Sequence, residues 1–153
     1  MPRKHFRLQR LLDLRTRQAD ACKAKLAAVE RQLSAAEDVV RGFEESGSRL
    51  SLDWTTAATR GLSAWQAADF ERARLNQVQA LNAARIAAEH IRKEVIAART
   101  ELERALIQVK TLEKARENAA NRAEAEEQRK EQLVLDEFSI LLEARTECGS
   151  SLV

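Results

Sequence analysis

A chain of 153 residues with four Gly, one Pro, six aromatic side chains and 33% charged residues has too little turn chemistry for a fold of many short elements, since an average chain of that length carries roughly 11 Gly and 8 Pro. Its 27 Ala and 19 Leu suit long helices, while the shortage of aromatic residues starves both a sheet and a large globular core. The net charge of +2 calls for neither nucleic acid nor an anionic membrane.

In chain order, the first 17 residues are basic: Arg3, Lys4, Arg7, Arg10, Arg15 and Arg17 face only Asp13. Leu8 to Leu14 is broken by charges, so it forms no signal-peptide core. No apolar run approaches the roughly 20 residues that span a bilayer. The expectation is a soluble, cytoplasmic protein. Cys22 and Cys148 lack metal-ligand spacing and read as free thiols of a reducing compartment.

Steps of four and three from Leu8 reach Leu12, Arg15, Ala19, Cys22, Leu26, Val29, Leu33, Ala36, Val40 and Phe43, with only Arg15 out of character. A 3.5-residue repeat held this long keeps one stripe toward a partner helix, the mark of a coiled-coil seam. Helix 1 is expected over about 4–57, with Ser46-Gly47-Ser48 as a candidate break. The turn falls at about 58–63, where Gly61 precedes Ser63, a candidate N-cap with Gln66 as its capping-box partner. Helix 2 follows over about 64–146, with a mobile tail at 147–153. Its seam runs Leu81, Ala84, Ala88, Ile91, Val95, Ala98, Leu102, Ala105, Val109 and Leu112, weakens at Gln77 and Arg74, and continues to Ala119 and Ala123 before losing phase.

Two long helices on a short connection give an all-α fold: a long antiparallel two-helix coiled-coil hairpin forming a single domain over 1–153. Pairing of the same stripes between chains buries the same surface, so periodicity alone leaves that alternative open. A turn near residue 60 sets Leu33 near Ala87, Leu26 near Glu94 and Leu12 near Gln108, each within a turn of a seam residue. Helix 2 then overhangs by about 30 residues, or roughly 45 Å. The overhang holds the polar stretch Glu113 to Gln132, followed by Val134, Leu135, Phe138, Leu141 and Leu142, which have no partner within the hairpin.

Catalytic chemistry is missing. His5 and His90 stand without ligand-spaced Cys or carboxylates, and glycines at 42, 47, 61 and 149 make no phosphate loop. The expectation is no enzyme, no catalytic residue, no metal and no cofactor. Three surfaces remain. The basic start either docks an acidic partner or is an ordinary solvated helix end. Trp54, Trp65 and Phe70 either anchor a partner or plug the open end of the hairpin. The Val134–Leu142 patch either binds a partner, folds back or self-associates, and a partner is favoured because the polar stretch holds it away from the seam. An Ala-rich stripe without bulky anchors argues against a membrane-surface helix.

Phe6-Arg7-Leu8-Gln9-Arg10-Leu11-Leu12-Asp13-Leu14-Arg15, continuing through Gln18-Ala19-Asp20-Ala21 to Leu26-Ala27, resembles the opening of the FliJ family of flagellar type III export proteins. Leu112-Glu113-Lys114-Ala115-Arg116-Glu117, Arg129-Lys130-Glu131-Gln132 and Leu135-Asp136-Glu137-Phe138 look like its C-terminal half, and the YscO-like proteins of injectisomes share the size and pattern. The resemblance implies a non-catalytic hairpin similar to the central stalk of rotary ATP synthases. It implies as partners the hexameric export ATPase, the export-gate membrane protein and, for some members, secretion chaperones, at the cytoplasmic side of the inner-membrane export apparatus. ATP belongs to the partner. By the stalk analogy both termini enter the ATPase ring, with Arg3, Lys4, Arg7, Arg10, Arg129 and Lys130 as contacts. The family's gate contact, on apolar positions early in helix 2, implicates Phe70 and Leu81. Trp65, Val134, Phe138 and Leu141 join them as candidates for the gate or another protein. The rival reading is a coiled-coil scaffold or dimerisation module unrelated to secretion, which predicts a parallel homodimer in place of a monomeric hairpin.

Overall fold

The structure, a computed structural model, describes residues 7–150, the last through its backbone alone. Two helices, α1 (Gln9–Arg60) and α2 (Ala64–Ser150), pack against each other as a helical hairpin, with no strand among the described residues. The connection is only Gly61 to Ser63. Gly61 adopts φ +93°, a left-handed conformation that L side chains resist, and its N–H donates to the Ala58 carbonyl at 3.3 Å. Ser63 then caps α2 through the expected capping box. The Gln66 N–H donates to Ser63 Oγ at 3.2 Å, and the Ser63 N–H donates to Gln66 Oε1 at 3.1 Å.

The chain divides into two compact units: Thr16–Leu106, and Met1–Arg15 with Ile107–Val153. In the first, the 3.5-residue stripe is the shielded face. Ala19, Ala88, Val95 and Ala98 are buried, and Leu26, Val29, Leu33, Phe43, Ile91 and Leu102 are part-buried. So many Ala in the seam let the helix axes approach closely, at the cost of little apolar area per layer. Trp54 meets Phe70, and Gly47 meets Gln77, so the hairpin's midpoint lies at about residue 62. The register is thus about one turn from the pairing of Leu33 with Ala87 and Leu26 with Glu94. Ala87 and Glu94 are exposed. The cause is α1, which persists through Arg60 and moves the turn toward the C-terminus.

Gly47 does not break α1. A Cβ there would lie 3.5 Å from Gln77 Nε2, and the Gln77 carboxamide donates to the Phe43 carbonyl. A side chain at position 47 would thus only touch Gln77 at ordinary van der Waals distance. The cost of Gly in a helix, about 1 kcal/mol relative to Ala, is met by packing rather than by a kink.

Outside the seam, a ladder of ion pairs repeats by heptads. Arg99 meets Glu30 at 3.1 Å, Arg92 meets Glu37 at 3.2 Å and Arg85 meets Glu44 at 3.0 Å, with Lys25 on Glu101 at 2.9 Å. Descending numbers on α2 against ascending numbers on α1 make the pairing antiparallel. The ladder supports that orientation more than it stabilises the fold, because the side chains of these pairs keep 43% to 61% of their surface accessible.

In the second unit, Leu12 is buried with Val109, while Leu112, Ala115 and Ala123 are part-buried. Gln108, the expected neighbour of Leu12, is exposed, as is Ala119 of the extended seam. Every residue from Glu124 through Gly149 is exposed although α2 is unbroken there.

Candidate functional site

In the first unit, a cleft of about 440 Å³ beside Gly47 is lined by Phe43, Leu50, Trp54, Phe70, Gln77 and Leu81. Trp54 and Phe70 close one end edge to face, with ring centroids 5.4 Å apart and planes at 79°. That geometry is favoured because a ring edge meets the negative face of its neighbour. On the rim, Arg74 binds Glu71 through two hydrogen bonds of 2.6 and 2.9 Å. The guanidinium holds the Glu71 carboxyl below the usual carboxylate range, and the hydrogen bond in turn raises Arg74. The cleft can take an apolar side chain beside a polar rim. It holds no arrangement for bond-making chemistry.

The structure brings Phe70 and Leu81 to this cleft and leaves Trp65 out of it. Of the three aromatic residues near the turn, Trp54 and Phe70 pair, while Trp65 is 77% exposed. Periodicity could not separate the two tryptophans, because Trp65 lies in the first turn of α2, where the capping geometry sets its direction.

In the second unit, Arg7 and Arg10 are exposed at the start of the described chain, and Arg3 and Lys4 lie outside the described residues. Arg129 and Lys130 are exposed on α2, followed by an exposed apolar segment in which Phe138 is 62% accessible and Val134 and Leu141 are similar. Val134, Leu135, Phe138, Leu141 and Leu142 follow the i, i+1, i+4, i+7, i+8 pattern of one helix face. A cluster of exposed apolar side chains of this size marks an interaction surface. Among the described residues, no three His, Cys, Asp or Glu could hold a metal ion, and no helix is long and apolar enough to cross a membrane.

The ion-pair ladder has its own signal in the sequence, in charges and not in apolar residues. Glu30, Glu37 and Glu44 repeat every seven residues, as do Arg85, Arg92 and Arg99.

A helical hairpin with a shielded seam, a cleft near its turn and a bare apolar helix face is built for binding other proteins. Residues 4–147 match the family model described as "Flagellar FliJ protein", and the chain belongs to that family. It is a non-catalytic component of the flagellar export apparatus. No curated protein and no solved structure matches it. Membership sets aside the scaffold unrelated to secretion.

Proposed function

We propose that this chain is the stalk and coupling component of the flagellar export apparatus. It binds the hexameric export ATPase through its terminal segments and the export-gate membrane protein through the region around the turn. It works in the cytoplasm, peripheral to the inner-membrane apparatus, as one monomeric hairpin within a single domain, and it hands on secretion chaperones. The observation that carries this reading is the bare stretch of α2, in which Leu133, Val134, Phe138 and Leu141 are exposed on unbroken helix. Natural chains keep such a face where a partner covers it. Arg129 and Lys130 supply charge beside it, and Arg7 and Arg10 supply charge at the start of the described chain, for an acidic rim on the ATPase. The cleft lined by Phe70 and Leu81, with Trp65 exposed nearby in sequence, suits an apolar side chain of the gate protein. The chain supplies no chemistry to ATP hydrolysis; its role is to favour one assembled arrangement of the ring.

The test is ATP hydrolysis by the export ATPase with and without the full chain. Stimulation accompanied by ring assembly is expected, and Phe138→Asp abolishes it while helicity by circular dichroism stays unchanged. Unaltered hydrolysis together with no complex on gel filtration would remove the ATPase from the reading.

A further inference from the structure

The two ends of the second unit carry opposite charge and both expose apolar side chains. The first 15 residues hold five basic side chains against Asp13 alone, and residues 131–147 hold five acidic side chains against Arg145 alone. Leu8, just before α1, and Leu11 and Leu14 within it are exposed beside Arg7 and Arg10, while Leu135, Phe138 and Leu142 are exposed on α2 beside Glu131, Asp136 and Glu143. Each face offers what the other lacks. One chain cannot bring them together: Leu12 is buried in the same unit as Val109 and Leu112, and unbroken helix from there to Val134 is about 30 Å long at 1.5 Å per residue.

We propose that a second copy of this chain covers these faces, the acidic apolar segment of each copy seated on the basic leucine face of the other. A two-fold axis makes both contacts at once, so the interface is closed and stops at two chains. Each hairpin keeps its own seam; the pairing involves only the faces that the seam leaves bare. Because the same faces serve the ATPase in the reading above, the paired form is a stored state that the ATPase must open. The inference stands on the two faces alone and does not require that reading.

The experiment is sedimentation equilibrium of the full chain at low salt and at about 0.5 M salt, where the Debye length falls to about 4 Å. A concentration-dependent species of twice the 17.2 kDa chain mass is expected, weakened at least tenfold by salt. Reversing the basic face (Arg3→Glu, Lys4→Glu, Arg7→Glu and Arg10→Glu) or the acidic one (Glu131→Arg, Asp136→Arg, Glu143→Arg and Glu147→Arg) yields monomers. Mixing the two variants one to one restores the dimer, because both junctions again join opposite charges. A chain that stays monomeric at every concentration overturns the proposal. So does a dimer that survives either reversal, which would show the Phe138 face pairing with itself, and so does a mixture that remains monomeric while each variant keeps its helicity.

Discussion

Thr16–Leu106, two helices joined at Gly61–Ser63, and Glu124–Gly149, a single unbroken stretch of α2, are both rich in charge, yet only the first has a shielded face. In the first, Ala88, Val95 and Ala98 fall on a 3.5-residue period and are buried, so tertiary packing holds the helix. In the second, the apolar residues are larger, including Phe138, Leu141 and Leu142, and all are exposed. Apolar size therefore does not decide which stretch is core. Continuity of the period opposite a second helix decides it, and the larger side chains gather where the second helix has ended. One region spends its sequence on a fold and the other on a surface, so substitutions in the two should separate stability from association.

The largest expected effect is Val95→Asp. Val95 is 4% exposed in the seam, and a carboxylate placed there has no partner. The cost is about 3 kcal/mol or more, read as a fall in Tm of roughly 10 °C. Phe138→Asp introduces the same group at 62% exposure and should move stability by less than about 0.5 kcal/mol. Equal losses of Tm at the two positions would break the distinction between core and surface, and would mean that something in the chain covers Phe138.

Next comes Ser63→Ala, which removes the acceptor for the Gln66 N–H and costs about 1 kcal/mol. Gln66→Ala removes the reciprocal acceptor and costs less, since the Ser63 N–H can turn to water. Urea unfolding of both variants checks the order.

The seam, the capping box and the family were legible because each rests on local pattern: the 3.5 period from Leu12 to Phe43, Ser63 with Gln66, and the terminal motifs. What was not legible rests on contacts across the hairpin. Gly47 reads as a break by propensity, and only the reach of Gln77 to the Phe43 carbonyl explains why α1 passes through it. The cleft beside it is lined from both helices, by Phe43, Leu50 and Trp54 on α1 and by Phe70, Gln77 and Leu81 on α2. The register lies about one turn from that expected because α1 runs on through Arg60, and nothing in the seam's composition distinguishes one Ala layer from the next. The Glu30, Glu37, Glu44 series against Arg99, Arg92 and Arg85 carries that information, and reading charges by heptad would have found it.

The smallest expected effect tests whether that ladder steers register more than it stabilises. The Lys25 ammonium donates to Glu101 at 2.9 Å, and this hydrogen bond, followed by the Glu101 charge, raises its pKa above the ordinary lysine value. A raised folded pKa means that the contribution is complete below the unfolded value and is lost as pH rises through the folded one. Stability should therefore fall slightly on the alkaline side of the ordinary lysine value, and Lys25→Met should flatten that fall. Both groups are exposed, so the effect is small and should fade at about 0.5 M salt. Reversing the heptad series instead, with Glu30, Glu37 and Glu44 all changed to Arg, places like charges along both helices at every rung. Thermal melts at low salt should then show a loss greater than three times that of Glu37→Gln alone, and adding Arg85→Glu, Arg92→Glu and Arg99→Glu should restore the melt. Strictly additive losses without restoration would mean that the Ala seam sets the register unaided.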